Sequence, residues 1–210
     1  MAVYDLEEQE QLDLLKSWWS RHRGSILLII VAAAIAMSAV VAWRYYQNNQ
    51  ASQAAQLYTQ LQAAVASKDL KKVRDIASLL REQYPRVGYA VLAGLIGAQA
   101  AFESGEVEHA KSALQWIIDR GESETANVAR LRLAAILLHE KKYDDALKLL
   151  ANAPESLVSL YADLKGDILV EQGKLSEARG AYQLALDKSH PRSPLRGLIE
   201  IKRDALGEAK

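Results

Sequence analysis

The stretch AQAAFESGEVEHAKSAL, residues 98–114, decides the fold because its layout returns twice further along the chain. The later copies are AAILLHEKKYDDALKLL at 134–150 and GDILVEQGKLSEARGAY at 166–182. The copies are 36 and then 32 residues apart, an average of 34. A period of this length predicts repeated helix–turn–helix units that stack on one another.

Each copy has a small residue in its first helix, a turn, an alanine in its second helix and a large apolar residue four positions later. In that order the residues are Ala98, Gly105, Ala110 and Leu114, then Ala134, Lys141, Ala146 and Leu150, then Gly166, Gly173, Ala178 and Tyr182. The small residues let the paired helices approach closely, and the large residue is predicted to pack on the next pair. A degenerate fourth copy places Leu70, Val73, Ala77 and Leu80 in the same frame after a turn at Lys68.

Helical periodicity extends this pattern over the chain from residue 50 onward, and all four prolines fall between helical windows. The predicted windows are about 50–67, 70–84, 87–104, 106–120, 123–141, 143–152, 155–172, 175–189 and 193–206. The last stretch, 193–207, fits no repeat and is predicted to cap the final pair through Leu195, Leu198 and Ile201. The sequence therefore predicts an all-α fold, a helical solenoid with a C-terminal capping helix, and the alternative is an irregular helical bundle.

The 34-residue layout is similar to the tetratricopeptide repeat, although the tryptophan that usually opens the first helix is absent. The resemblance implies that the first helix of each pair lines a concave surface, and an apolar concavity is typical of a partner site. The alternatives are that some of these residues are core, or that the cap folds back over them. Carried over position by position, the groove residues are Tyr58, Gln62, Leu92, Leu95, Gln99, Phe102, Val128, Leu131, Leu138, Leu160, Asp163 and Asp167.

Ahead of the repeats lies SILLIIVAAAIAMSAVVAW, residues 25–43, which carries no charge. As a helix it spans ~28 Å, close to the ~30 Å hydrocarbon core of a bilayer. A buried core helix and a signal peptide cleaved after Ala34-Ile35-Ala36 are the alternatives, but the apolar run continues past Ala36 and favours an uncleaved anchor. Small residues recur every fourth position at Ala34, Ser38 and Ala42, which is typical of close helix–helix contact in membranes.

Positive charge near this span predicts the topology. Lys16, Arg21 and Arg23 precede the span, whereas Arg44 alone follows it closely. The bias predicts a cytoplasmic N-terminus and a C-terminal domain on the far side of the membrane, which is the periplasm or cell exterior in a bacterium and a lumen in a eukaryote. The predicted organisation is a cytoplasmic tail at 1–24, the span at 25–43, the repeat domain at 44–192 and the cap at 193–210.

The tail is predicted to be an amphipathic helix. Its apolar face carries Leu12, Leu15 and Trp19. One interpretation is docking on a cytoplasmic partner, and the other is a helix resting at the membrane interface. The acidity of the tail is a poor match to anionic lipid and leaves room for a protein contact.

Composition excludes several classes of function. The chain has no cysteine, so it has no disulfide, thiolate metal site or cysteine nucleophile. Its formal net charge is zero, which argues against nucleic-acid binding. The four histidines lack metal-ligand spacing, and nucleophile-elbow, P-loop and dinucleotide motifs are absent. We therefore expect no enzyme activity, no cofactor and no small-molecule substrate.

The order of features resembles one known family over essentially the whole chain. Its most specific parts are the tail motif EEQEQLDLLKSWW at 7–19 and the exit Trp43-Arg44-Tyr45. These resemble the YfgM family, ancillary subunits of the bacterial Sec translocon. The resemblance implies a single-span subunit of the bacterial inner membrane with a periplasmic repeat domain. It also implies association with SecYEG and with PpiD, a membrane-anchored periplasmic chaperone, and a role in receiving emerging polypeptides. The rival hypothesis is a general cell-envelope scaffold, or a stress-signalling regulator, without translocon contact.

Overall fold

The computed structural model describes residues 3–207, and the environment of side chains from residue 11 onward. All of its secondary structure in this range is helical. In chain order the helices are α1 Val3–Ala66, α2 Leu70–Gln83, α3 Gly88–Glu103, α4 Val107–Ile118, α5 Glu124–His139, α6 Tyr143–Leu149, α7 Val158–Glu171, α8 Leu175–Lys188 and α9 Arg196–Asp204. A short 3-10 turn, Glu155–Leu157, precedes α7. The predicted all-α class is confirmed, and the predicted windows match α2 to α9 to within a few residues.

The chain divides into two compact units between Ser52 and Gln53. In the first unit, α1 contains the one helical window in the described chain that is long and apolar enough to cross a membrane. None of that window is buried within the protein, and Leu28 and Met37 are among its exposed side chains. A core helix of a folded domain is largely covered by its neighbours, so this exposure favours the membrane anchor over the buried alternative.

In the second unit, the turn inside each repeat has the same backbone geometry. Lys68, Gly105, Lys141 and Gly173 have φ values of 57°, 80°, 60° and 74°. After each of them, an amide bonds a carbonyl five residues back, as from Glu106 N to Ala101 O at 2.8 Å. A left-handed residue with this long reverse bond is the Schellman motif, which ends a helix. In each repeat the next helix begins two residues after the left-handed one. All four predicted repeat turns are confirmed.

The predicted close approach of paired helices is also confirmed. Ala110, Ala146 and Ala178 are fully buried, because each lies at the contact with its partner helix. At Gly166 the contact is tighter still, since an added Cβ atom would lie 2.4 Å from the ring of Tyr182. Tyr182 therefore packs across α7 of its own pair, and it also contacts the cap that follows, with Lys202 Nζ 5.7 Å from the centroid of its ring. Only glycine at 166 leaves room for the ring.

Ion pairs link consecutive repeats. Arg74 of α2 pairs with Glu106, which precedes α4. One repeat further on, Lys111 of α4 pairs with Glu140 at the end of α5, at 2.7 Å. Hydrogen bonds and the charge of Lys111 and Lys142 lower the pKa of Glu140 below its ordinary value, since they stabilise the carboxylate.

The capping helix α9 covers the last pair with a different face from the predicted one. Ile199 is buried against α7 and α8, and Leu206 packs beside it. Leu195, Leu198 and Ile201 remain exposed, so the prediction that they cover the final pair is wrong. The sequence shows two apolar stripes on this helix, and only the contacts decide which of them faces inward.

Candidate functional site

The predicted groove begins with a row of side chains on α3. Leu92, Leu95, Gln99 and Phe102 follow helical spacing, which places them along one side of the helix. Leu92 and Phe102 are 42% and 41% exposed, whereas Leu95 packs on the core cluster around Leu114. The row therefore offers two large apolar side chains to solvent in a helix whose other side is buried.

Contacts between first helices continue the row in both directions. The ring of Tyr58 on α1 lies 5.1 Å from that of Tyr89 on α3. Phe102 meets His139 of α5 edge to face at 6.3 Å. Arg132 of α5 donates from Nη1 to the Leu95 carbonyl at 3.0 Å. These contacts bring the first helices of successive repeats side by side, so the predicted positions of α1, α3 and α5 adjoin one another.

The remaining predicted positions vary in exposure. Gln62 is exposed, as is Gln99, whose amide donates to Glu103 Oε1 at 3.0 Å. Val128 and Leu160 are half-buried. Leu131 and Leu138 are half-buried against the cluster around Tyr161 and Ile168. None of the twelve predicted groove residues is fully buried.

The capping helix contacts the two aspartates among the predicted groove residues, Asp163 and Asp167. Lys202 of α9 donates from Nζ to Asp163 Oδ1 and to Asp167 Oδ2, both at 2.9 Å. Tyr182 donates from its hydroxyl to Asp167 Oδ1 at 2.7 Å. Both carboxylates therefore accept hydrogen bonds from side chains of the same protein, from Lys202 of the cap and, for Asp167, also from Tyr182.

Burial shapes the protonation of this cluster. Desolvation raises the pKa of the Asp163 carboxyl, and the hydrogen bond from Lys202 acts in the opposite direction. For Lys202, burial alone lowers the pKa, but hydrogen bonds to Asp167 and Asp163 and their charges outweigh it and raise the pKa. Lys202 therefore holds α9 against α7 as a charged amine, because the two aspartates stabilise its ammonium form.

An open concavity of about 580 Å³ lies between α5 and α7. Its lining includes Leu138 and His139 from α5 and Asp167 and Glu171 from α7. Within residues 11–207, no group of three or more histidine, aspartate or glutamate side chains could hold a metal ion.

The predicted contact residues of α1 are exposed within the first unit. Ser38 donates from its hydroxyl to the Ala34 carbonyl at 2.8 Å, and Ala42 continues the same side of the helix. The predicted docking face of the tail, Leu12, Leu15 and Trp19, is likewise exposed.

Sequence reasoning missed four residues of the site: Tyr89, Arg132, His139 and Lys202. Tyr89 could have been found, because it lies three residues before Leu92 on the same helix. Lys202 could not, since 39 residues separate it from Asp163 and no local pattern links the two.

Comparison with known proteins agrees with this architecture. A family model described as a tetratricopeptide repeat-like domain matches residues 16–208. A protein of Neisseria gonorrhoeae is 31% identical over 217 residues, 98% of this chain and 100% of the relative. A protein of Escherichia coli is 26% identical over 205 residues, 96% of this chain and 97% of the relative. Both relatives are named "Ancillary SecYEG translocon subunit". No solved structure matches the chain.

The fold and the family model define a tetratricopeptide repeat-like protein with an apolar N-terminal helix. Similarity over nearly the full length of both chains then shows that this protein belongs to the family of ancillary SecYEG translocon subunits.

Proposed function

We propose that this protein is a non-catalytic subunit that associates with the Sec translocon and uses its repeat groove to hold a chaperone or an emerging polypeptide. The proposed association with the translocon is based on the names of its relatives, which are called ancillary SecYEG translocon subunits. The groove role is supported chiefly by one observation, the exposure of Leu92 and Phe102 in a row shared by adjoining first helices. Apolar side chains in such a row are typical of protein-binding surfaces.

The proposed partner of the groove is a PpiD-type membrane-anchored chaperone, as the family resemblance implies. The proposed topology places the repeats in the periplasm and the tail in the cytoplasm. Tethering both proteins to one membrane raises their effective concentration to the millimolar range, so a groove of modest affinity is sufficient. The small-residue side of α1 around Ser38 is the proposed contact with the channel.

The test is affinity purification of the full-length protein from membranes in mild detergent, with Leu92→Glu and Phe102→Glu as variants. These positions are preferable to Leu95 and Leu131, which pack on core clusters. Leu175→Glu is the matched control, because Leu175 is 48% exposed but lies on α8. We expect the groove variants to lose the chaperone at least tenfold, to retain SecYEG and to keep normal helical content.

A photocrosslinker at Ser38 examines the channel contact separately. Recovery of SecYEG subunits supports the proposal. Recovery of other envelope proteins without any channel subunit contradicts it and favours the general scaffold.

A further inference from the structure

The second helix of the third repeat is only half as long as its counterparts. α6 has 7 residues, whereas α2, α4 and α8 have 14, 12 and 14. The chain leaves the helix at Leu150 and is extended at Pro154, where ψ is 150°. About five residues of helix, or roughly 7 Å, are missing relative to α4.

The missing turns carry a packing position in the other repeats. Ten residues after the first residue of the helix, α2 has Leu80, α4 has Ile117 and α8 has Ala185, and all three are buried. In the third repeat the same position is Ala153, which lies in the connection after α6 and is exposed. The bulky side chain that α2 and α4 place here is therefore absent.

A cleft of about 440 Å³ opens at this place, and we call it the α6 cleft. Ala162 of α7 and Ala181 of α8 form part of its lining, and Leu184 stands at its edge, 45% exposed. Gly180 also lines it, and an added Cβ atom there would meet nothing within 4 Å. The cleft is thus largely apolar, and the space beside Gly180 is unfilled.

Two opposite charges stand among the residues that line the α6 cleft. Lys165 lies on α7 and Glu177 on α8. Both are exposed, and neither forms an ion pair with another residue in 11–207. None of the twelve predicted groove residues lines the cleft, so it is a separate surface.

We propose that the α6 cleft binds a short amphipathic helix of a partner protein. The occupant presents two bulky apolar side chains, adjacent or one turn apart, as α4 does with Trp116 and Ile117. An acidic side chain beside them meets Lys165, and a basic one meets Glu177. A helix is the occupant because the cleft lies where a further turn and a half of helix would continue α6.

The test uses the full-length protein in detergent and a fluorescein-labelled, hydrocarbon-stapled peptide with the sequence of residues 107–120. The staple removes the helix-nucleation cost that makes short isolated helices unstable. We expect saturable binding by fluorescence anisotropy, and at least tenfold weaker binding of a peptide in which Trp116 and Ile117 are alanine. Equal binding of the two peptides, or no saturable binding, overturns the proposal.

Gly180→Trp fills the α6 cleft and is expected to weaken peptide binding at least tenfold. Leu175→Trp is the matched control, since it adds the same side chain to the same helix outside the cleft and is expected to leave binding unchanged. Equal effects of the two variants overturn the proposal. If circular dichroism shows that Gly180→Trp is misfolded, Leu184→Glu replaces it with the same expectation.

Other occupants give distinct results. If Gly180→Trp converts a dimer to a monomer in sedimentation, the occupant is a second copy, and the partner helix is overturned. If detergent of longer chain length displaces the peptide in proportion to its concentration, the occupant is an acyl chain, which also overturns it. Leu92→Glu lies outside the α6 cleft and is expected to leave peptide binding unchanged. The α6 cleft proposal and the groove proposal can therefore fail independently of each other.

Discussion

At the scale of the residue, a few positions hold the repeats together through their size. Gly166 is the sharpest case, because the Tyr182 ring occupies the space of its missing Cβ atom. The other copies place alanine at the equivalent positions, Ala98 and Ala134, and both are buried. The residue at this position is small in every copy because the paired helices approach closely there. In the last copy it must be glycine, because the Tyr182 ring leaves no room for a Cβ atom.

We predict that Gly166→Ala lowers the free energy of unfolding by roughly 1 to 3 kcal/mol, since the new methyl group overpacks the contact with Tyr182. Chemical denaturation followed by circular dichroism measures the change. Gly180→Ala is the control. It lies in a helix with open space around the new methyl group, so it is expected to stabilise the protein by about 0.5 to 1 kcal/mol.

The double variant Gly166→Ala, Tyr182→Leu distinguishes a steric cause from a backbone one. If the Tyr182 ring is the cause, Gly166→Ala costs less in the Tyr182→Leu background than alone. An unchanged cost contradicts the steric explanation.

At the scale of the element, α9 is held by charge as well as by apolar contact. Ile199 supplies the apolar contact, and Lys202 reaches two aspartates on α7. Arg196 adds a bond from Nη1 to the Leu186 carbonyl at 2.8 Å. The cap therefore protects the end of the solenoid with bonds to both helices of the last pair.

We predict that Lys202→Met loosens α9 by roughly 1 to 3 kcal/mol, because Asp163 and Asp167 lose their cation while partly buried. Amide hydrogen exchange of residues 196–204 measures the loosening. Lys188→Met, at an exposed position with no ion pair in residues 11–207, is the control and is expected to leave exchange unchanged. Equal exchange in the wild type and in Lys202→Met would mean that the ion pairs of Lys202 do not hold α9 in place.

The same contact predicts a dependence on pH. The pKa of Lys202 is raised above its ordinary value of 10.5, so the folded state favours the charged amine. Its contribution to stability is fully present below pH 10.5 and is lost as the pH rises through the higher pKa of the folded state. Hydrogen exchange of α9 in the wild type should therefore accelerate in this window beyond the ordinary increase with pH, and Lys202→Met should lack the extra step.

At the scale of the whole molecule, charge and apolar character are divided along the chain. Lys16, Arg21 and Arg23 precede the apolar window of α1, and the repeats follow it with a near balance of acids and bases. A chain of this kind serves two environments, a membrane and an aqueous compartment. The side on which the repeats lie is the central assumption of the proposed function.

Single cysteines test that assumption, because the natural chain has none. We predict that a membrane-impermeant maleimide labels Ser112→Cys in intact spheroplasts and labels Ser17→Cys only after detergent is added. Both serines are exposed, so access depends on the membrane and not on burial within the protein. The reverse pattern contradicts the proposed topology.

The sequence by itself determined the all-α class, the apolar helix, the repeat period and the positions of the four repeat turns. Each of these depends on residues that are close along the chain, such as Lys141 and Ala146, so local patterns report them. Only the tertiary structure decided that Tyr182 crosses Gly166 of its own pair, which stripe of α9 faces inward, and that Lys202 pairs with Asp163 and Asp167. It also showed that the truncation of α6 leaves a cleft. These features depend on contacts between distant segments, where several arrangements satisfy the same local pattern and packing selects one of them.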